Sequence, residues 1–405
     1  MHVFGLFVAF SPVGRRSSSA FYGASLRRTP ASCPLSCPAE RSGAGQLNGA
    51  DILPCGQDAA ALRPLVGGPH APCGPPQVGV PLISRALAEQ LNMNTDDRIS
   101  PLSILLDEVF YKSSIQDMRR FYFSATKGEH NWFLLSDYYF GDDKPNKVIT
   151  FTAMPSCPYI LDLKSAIKTV APKDIKHTRN VDRDFVALMN LLPLISIVFI
   201  FNNKKHFIWD TVEEAKETIR EHIEVVRAYV DYWGTTEPKR APRLNRITKN
   251  LNVLESLLKG GKKLRILSAM FLISQLGGYV GSVISRETDL LSLIWFSDRD
   301  STNEIGKNLI RDLFQISLID VTKKNINFSF TSANSGSDEW YEEITRILDY
   351  ITGAVSGFNF DENRAIAQKT AQLLGLHFRG NINNTFLYRF KVDDERIRLQ
   401  RTVIT

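Results

Sequence analysis

Four aspartates stand where apolar segments end or are interrupted, and they are the residues of this sequence best placed to do chemistry. Asp137 comes late in one apolar segment, Asp298 and Asp300 follow another, and Asp349 interrupts a third. A carboxylate in such surroundings is costly to bury unless it is paired or bound to a metal. Carboxylate oxygens hold Mg²⁺ or Mn²⁺, the ions that serve phosphodiester hydrolysis, so these residues are candidate metal ligands.

Each aspartate also has a purely structural explanation. Asp298 and Asp300 could cap a helix that begins just after them. Asp137 could begin a hairpin turn, and Asp349 could pair with Arg346 or Arg299. For each residue taken singly both interpretations stay open, and the order of the aspartates along the chain favours the functional one.

The elements that must position these residues alternate between strands and helices. Five strands are predicted from continuous or alternating apolar residues: Trp132–Tyr139, Val148–Met154, Leu194–Phe201, Leu290–Phe296 and Ile326–Phe330. A long helix from Thr211 to Trp233 and further helices to about residue 285 form an insertion before the fourth strand. The order predicts an α/β fold, in which helices flank a mixed sheet.

Four motifs in this order resemble a ribonuclease H-like family of unknown function. Its members open with an Asp-Glu-Ser-Gly strand, carry an Ile-Lys pair after a hairpin and an acid after a later strand, and finish with an Ala-Asp-x-x-Ala-Gly helix. The corresponding segments here are 136–138, 174–176, 294–300 and 348–354. The resemblance covers roughly residues 131–358.

The resemblance implies a ribonuclease H-like mixed sheet and an integrase- or nuclease-like scaffold, often found near mobile elements. It implies Asp137, Asp298 and Asp349 as ligands of Mg²⁺ or Mn²⁺, and Asp300 as a fourth or substitute ligand. Lys176 would contact phosphate or support the ligands. One departure matters, because residues 138–140 read Tyr-Tyr-Phe where the family has Glu-Ser-Gly. A scaffold that binds nucleic acid or a protein without catalysis therefore stays open as the alternative.

A basic stretch between residues 239 and 265 is a second candidate feature. Nine positive charges stand there, against Glu255 within the stretch and Glu237 just before it, and they could follow a phosphate backbone. A solvated helix face explains the same residues. The candidate nucleic-acid contacts are Lys239, Arg240, Arg243, Arg246, Lys262 and Lys263.

The first 92 residues differ in composition from the rest. They hold 11 of the 19 prolines, 11 of the 25 glycines and seven arginines without a lysine. Such a segment lacks the apolar residues that would offset its ordering entropy, so we predict that 1–92 is disordered. It could be upstream sequence translated from a start placed before Met93, or a transit peptide. After it we expect a helical lead-in over 93–130, the sheet domain over 131–358 with its insertion at about 211–285, and a C-terminal helix and tail over 359–405.

The uncharged segment Ile266–Ser285 is long enough to span a membrane. Its serines and glycines, and the lack of charge asymmetry between Arg265 and Arg286, favour a helix buried against the sheet instead. A membrane anchor is the weaker alternative. Because only Cys157 lies beyond residue 92, no disulfide framework is expected there, and a cytoplasmic location fits.

Overall fold

A hairpin opens the sheet, as the sequence predicted. In the computed structural model, β1 (Asn131–Tyr139) and β2 (Asn146–Pro155) pair antiparallel, with Asp137 opposite Thr150. Almost every residue of both strands is buried. Strands rich in aromatic and β-branched residues are stable in this position because helices cover both faces of the sheet.

The structure describes residues 100–202, 206–261, 263–297, 302, 305, 308–322, 324, 326–332, 339, 341–379, 384–393 and 396–404. The predicted disordered segment 1–92 lies outside these residues. So do Asp298, Asp300 and Lys262.

The other described strands lie far apart along the chain. They are β3 (Ile195–Asn202), β4 (Ser292–Ser297), β5 (Asn327–Ser332), β6 (Phe358–Asn359), β7 (Arg364–Ala365), β8 (Thr385–Asp393) and β9 (Arg396–Thr402). Seven strands form one sheet in the order β5-β4-β1-β2-β3-β8-β9, and β6 and β7 form a small separate ribbon. Strands β1, β2 and β3 are antiparallel neighbours, whereas β4 and β5 run parallel to β1. The predicted α/β class with a mixed sheet is confirmed.

Helices cover both faces of this sheet. They are α1 (Pro101–Ser113), α2 (Ile115–Met118), α3 (Ser124–Thr126), α4 (Ile160–Val170), α5 (Arg183–Leu191), α6 (Val212–Thr236), α7 (Ala241–Gly260), α8 (Leu264–Glu287), α9 (Leu309–Thr322), α10 (Glu342–Ser356) and α11 (Gln368–Leu373). One hydrophobic core lies between the sheet and α1, α6, α7, α8 and α9. The other lies between the sheet and α4, α5 and α10. The predicted helical insertion before the fourth strand is therefore present as α6, α7 and α8.

Helix α8 lies inside the first core. It is the one described helix that is long and apolar enough to cross a membrane, and 89% of its most apolar window is buried within the protein. Its glycines let α9 come close. A Cβ atom on Gly278 would stand 2.6 Å from Ser317 Oγ and 2.9 Å from the Leu318 backbone nitrogen. The small residues that argued against a membrane span thus serve helix packing.

Two further strands, β8 and β9, extend the sheet beyond β3. The prediction of a C-terminal helix and tail over 359–405 was wrong in this respect. Strand β8 runs parallel to β3, and Ser196 lies opposite Thr385. This pairing joins residues almost two hundred positions apart, which local sequence patterns do not report. Only the apolar alternation of Phe386, Tyr388 and Phe390 was available to indicate it.

His377 connects these late elements to the rest of the second core. Its ring is fully buried; Nδ1 lies 2.6 Å from Asn190 Oδ1, and Nε2 lies 3.0 Å from Thr385 Oγ1. Burial lowers the pKa of His377 to about 4. The neutral ring therefore holds α5 and β8 together.

Replacement of Gly278 by alanine should destabilise the fold by about 1–3 kcal/mol, because the new methyl group has no room beside α9. Urea unfolding followed by circular dichroism measures this. Gly234→Ala is the matched control, since a Cβ atom at this α6 position meets nothing within 4 Å. We expect that control to gain about 0.5 kcal/mol from helix propensity. Equal stabilities of the two variants would contradict the close packing of α8 and α9.

Stability should fall as the pH is lowered from about 6.5 to 4. In this window an unfolded histidine, with a pKa of about 6.5, binds a proton that the folded His377 excludes. Full loss would amount to about 3 kcal/mol for one such histidine. His222, whose pKa burial also lowers to about 4, adds a similar share. His377→Gln should therefore reduce the slope of the urea midpoint against pH by about half. An unchanged slope would show that the His377 ring is charged in the folded protein.

Candidate functional site

Asp137 lies at the carboxyl end of β1, on the face that α10 covers. Its neighbours on that face, Phe133 and Leu135, belong to the second core, and alternate residues of a strand share one face. The side chain is only 9% exposed, and Oδ1 accepts a hydrogen bond from the Tyr138 backbone N–H at 2.8 Å. Asp137 is therefore part of the strand and does not begin the turn.

Asp349 lies on α10 in one row with Thr352 and Ser356, since residues three or four apart share a helix face. Thr352 Oγ1 donates to Thr150 Oγ1 at 2.7 Å, and Thr150 is the residue opposite Asp137 in the hairpin. Directly opposite residues have Cβ atoms about 5 Å apart. Asp137 is thus the cross-strand neighbour of Thr150, and Asp349 stands one helical turn before Thr352. The two aspartates, 212 residues apart in sequence, are both placed relative to this buried hydrogen bond.

The end of β4 lies beside this pair. Strands β1 and β4 are parallel, and Ser297 is in register with Ser136, the residue before Asp137. Asp298 and Asp300 follow Ser297 directly but are outside the described residues. The carboxyl ends of adjacent parallel strands form the edge where α/β folds place ligands.

Two carboxylates suit a hard cation of the Mg²⁺ type. Mg²⁺ keeps several waters and is bound by one or two carboxylates together with substrate phosphates. In the part of the chain that the structure describes, no group of three or more histidine, cysteine, aspartate or glutamate side chains is arranged to hold a metal. The donor set of Asp137 and Asp349 therefore fits an ion that shares its coordination with water and substrate, and does not fit a closed structural site.

Lys176 lies in a short 3₁₀ turn against α10. Asp174 caps this turn by accepting the Lys176 backbone N–H, and its carboxylate pairs with Lys176 Nζ at 2.7 Å. The side chain of Lys176 is 71% exposed. The turn itself is tightly packed, because a Cβ atom on Gly353 of α10 would stand 2.9 Å from Ile175. Lys176 is close to the carboxylate face but is already engaged by an acid.

Lys144 is a second lysine on this face, and the sequence motifs did not indicate it. It comes from the turn between β1 and β2, and Nζ donates to Ser356 Oγ at 3.1 Å. The ammonium also lies 4.2 Å from the centre of the Tyr139 ring. Burial lowers the pKa of Lys144 below its ordinary value, and the charges of Asp143 and Asp137 act against that shift. Only the tertiary contact with α10 distinguishes this lysine from other lysines in turns.

The residues that replace Glu-Ser-Gly divide between the two faces. Tyr138 and Phe140 stack with ring centres 5.8 Å apart on the side of the first core. Tyr139 points to the carboxylate side, where its hydroxyl donates to Asp143. Burial and this hydrogen bond raise the pKa of Tyr139 above its ordinary value, so the phenol stays protonated. The substitution thus places an aromatic ring, and no carboxylate, next to Asp137.

Some cations of the basic stretch are paired with acidic side chains, and others are exposed to solvent. Asp312 of α9 is fully buried and accepts hydrogen bonds from Arg243, Arg246 and Arg311 at 2.7 Å, 2.9 Å and 3.3 Å. Arg240 forms a partly exposed pair with Glu237, three residues before it. Arg243 and Arg246 thus join α7 to α9. The exposed described cations of the stretch are Lys239, Lys249, Lys259, Lys263 and Arg265, of which Arg265 pairs with Asp142.

Asp312→Asn should lower the free energy of unfolding by about 3 kcal/mol. The change leaves three partly buried guanidinium groups without the negative charge that offsets them. Chemical denaturation measures the loss, and Asp162→Asn on the exposed side of α4 serves as control. An unchanged unfolding midpoint would mean that the three arginines are not held by Asp312.

Comparison with known proteins assigns no family to the chain. No family model, curated protein or solved structure matches it.

Proposed function

We propose that this protein is a ribonuclease H-like enzyme that cleaves phosphodiester bonds of nucleic acid with Mg²⁺ or Mn²⁺. Asp137 and Asp349 would hold the ion, and Asp298 or Asp300 would complete the ligand set. The observation that supports the proposal is the Thr150–Thr352 hydrogen bond, because Asp137 is the cross-strand neighbour of Thr150 and Asp349 is one helical turn from Thr352.

The arrangement of the sheet supports this proposal. Three antiparallel strands, β1 to β3, are followed by β4 and β5, which lie on the other side of β1 and parallel to it. A mixed sheet of this kind is compatible with the ribonuclease H-like fold that the sequence resemblance implies. Asp137 lies on the first strand and Asp349 on a later helix, and Asp298 follows the last residue of the fourth strand in sequence.

The burial of the carboxylates favours a bound cation. Asp137 is nearly enclosed, and Asp349 is half-buried. Two carboxylates that shared a site would repel each other, and an ion between them would offset this repulsion. An ion held there supplies Lewis-acid catalysis to phosphodiester hydrolysis.

The cations around this edge favour a polyanionic substrate. Arg265, at the start of α8, pairs with Asp142 of the β1–β2 turn at 3.0 Å, so the beginning of α8 lies at the same end of the sheet as Asp137. The exposed Lys263 stands two residues before it. A nucleic-acid backbone that extended from the carboxylate edge would pass close to these charges. Cations arranged along such a path bind the phosphates of the backbone.

A non-catalytic scaffold is the second candidate. The Tyr138-Tyr139-Phe140 segment favours it, because Tyr139 occupies the carboxylate side of β1 where the resembling family has a serine. Such a protein would bind nucleic acid or a protein partner through the same edge without cleavage.

Millimolar Mn²⁺ or Mg²⁺ should raise the melting temperature of the full chain. A ligand that binds only the folded state adds about 2.7 kcal/mol of stability at a concentration 100-fold above its Kd. Asp137→Asn and Asp349→Asn should lose this shift, because each removes a ligand charge. Differential scanning fluorimetry measures it.

Asp162→Asn is the control for this experiment and should keep the full shift. If the parent and all three variants respond equally to metal, the site at Asp137 and Asp349 does not bind the ion. Metal-dependent cleavage of labelled DNA or RNA by the parent, absent in Asp349→Asn, separates the enzyme from the scaffold.

A further inference from the structure

Three lysines surround the carboxylate face, and their hydrogen bonds differ. Lys369 Nζ lies 2.6 Å from the carbonyl oxygen of Ile175 and 3.3 Å from those of Lys176 and Thr178. All three donors of that ammonium are therefore used to hold the 3₁₀ turn. Lys176 is paired with Asp174 and largely exposed.

Lys144 differs from both. Its Nζ makes one hydrogen bond, to Ser356 Oγ, and it forms no ion pair with any described residue. An ammonium has three donors, so two are left for a ligand. A lysine that served only to neutralise Asp137 or Asp143 would be expected to pair with one of them directly.

The ammonium of Lys144 is also held in position before any substrate binds. The Tyr139 ring lies against its ammonium. Ser356, the last residue of α10, accepts a hydrogen bond from Lys144 and donates one to the Gly353 carbonyl. Ser356 stands in the same helix row as Asp349 and Thr352. The lysine is thus held at one end of the row whose other end carries a candidate metal ligand. A group held in place beforehand loses little side-chain entropy on binding.

We propose that Lys144 binds a phosphate group of the nucleic-acid substrate beside Asp137 and Asp349, the role that the sequence motif assigned to Lys176. This inference rests on the proposed function and adds the residue that recognises the phosphate. Partial burial strengthens the attraction between an ammonium and a phosphate, because water screens the charges less than at the surface.

The test compares Lys144→Met with Lys176→Met in the full chain. Fluorescence anisotropy of short labelled oligonucleotides, single- and double-stranded and of DNA and RNA, measures binding in Mg²⁺ over a range of salt. Lys144→Met should weaken the binding of the tightest oligonucleotide by about tenfold. It should also lower the slope of log K against log salt by about one. Lys176→Met should change binding by less than about twofold, and Lys144→Arg should retain most of it.

Stabilisation by Mn²⁺ keeps this inference separable from the proposed function. Lys144→Met retains both carboxylates and removes a positive charge near Asp137, so metal should raise its melting temperature by at least as much as that of the parent. If metal stabilises the parent and Lys144→Met still binds oligonucleotides as the parent does, the role of Lys144 is overturned alone. A parent that binds no oligonucleotide and gains no stability from metal overturns both proposals. Should Lys144→Met fail to fold by circular dichroism, Lys144→Gln takes its place with the same expected loss.

Discussion

Strand β1 is paired on both sides, antiparallel with β2 over Trp132–Tyr139 and parallel with β4 over Asn131–Ser136. This double pairing satisfies its backbone hydrogen bonds and leaves its two faces as the only surfaces to be covered. Side chains at alternate positions then go to opposite cores, with Trp132 and Leu134 on one face and Phe133 and Leu135 on the other. The same alternation sends Asp137 to the α10 face. The register of one strand therefore determines both how the protein packs and where its candidate chemistry lies.

Both faces combine apolar packing with buried polar groups. On the first face the insertion adds α6, α7 and α8, α8 packs against α9 through glycine, and Asp312 and the serines of α8 are buried. The second face contains buried hydroxyl groups on the strands and on α10, exemplified by Thr150 and Thr352. Polar groups inside a core stabilise a fold only when their partners are correctly placed. The second face is thus the one that specifies the position of α10, and with it the position of Asp349.

Charge alone is a poor guide to the surface of this protein. The basic stretch contains nine cations in sequence, yet Arg243 and Arg246 are drawn inward by the buried Asp312. The two lysines near the carboxylates differ in the same respect. Lys176 forms an ion pair with Asp174, whereas Lys144 forms none with an acid among the described residues. The partners of a cation, rather than its place in a motif, decide whether it can take up an external phosphate.

The sequence by itself determined the α/β class, the opening hairpin, the helical insertion and the burial of α8, because apolar periodicity and turn residues are local signals. It also singled out Asp137 and Asp349, since a carboxylate within an apolar segment is visible without a structure. The tertiary structure decided which residues of different strands and helices lie next to each other. It placed Asp137 and Asp349 relative to the Thr150–Thr352 hydrogen bond, joined β8 to β3, paired three arginines with Asp312 and placed Lys144 against Ser356. Except for Arg311 with Asp312, these contacts join residues distant in sequence, and their energies depend on packing that no local pattern encodes.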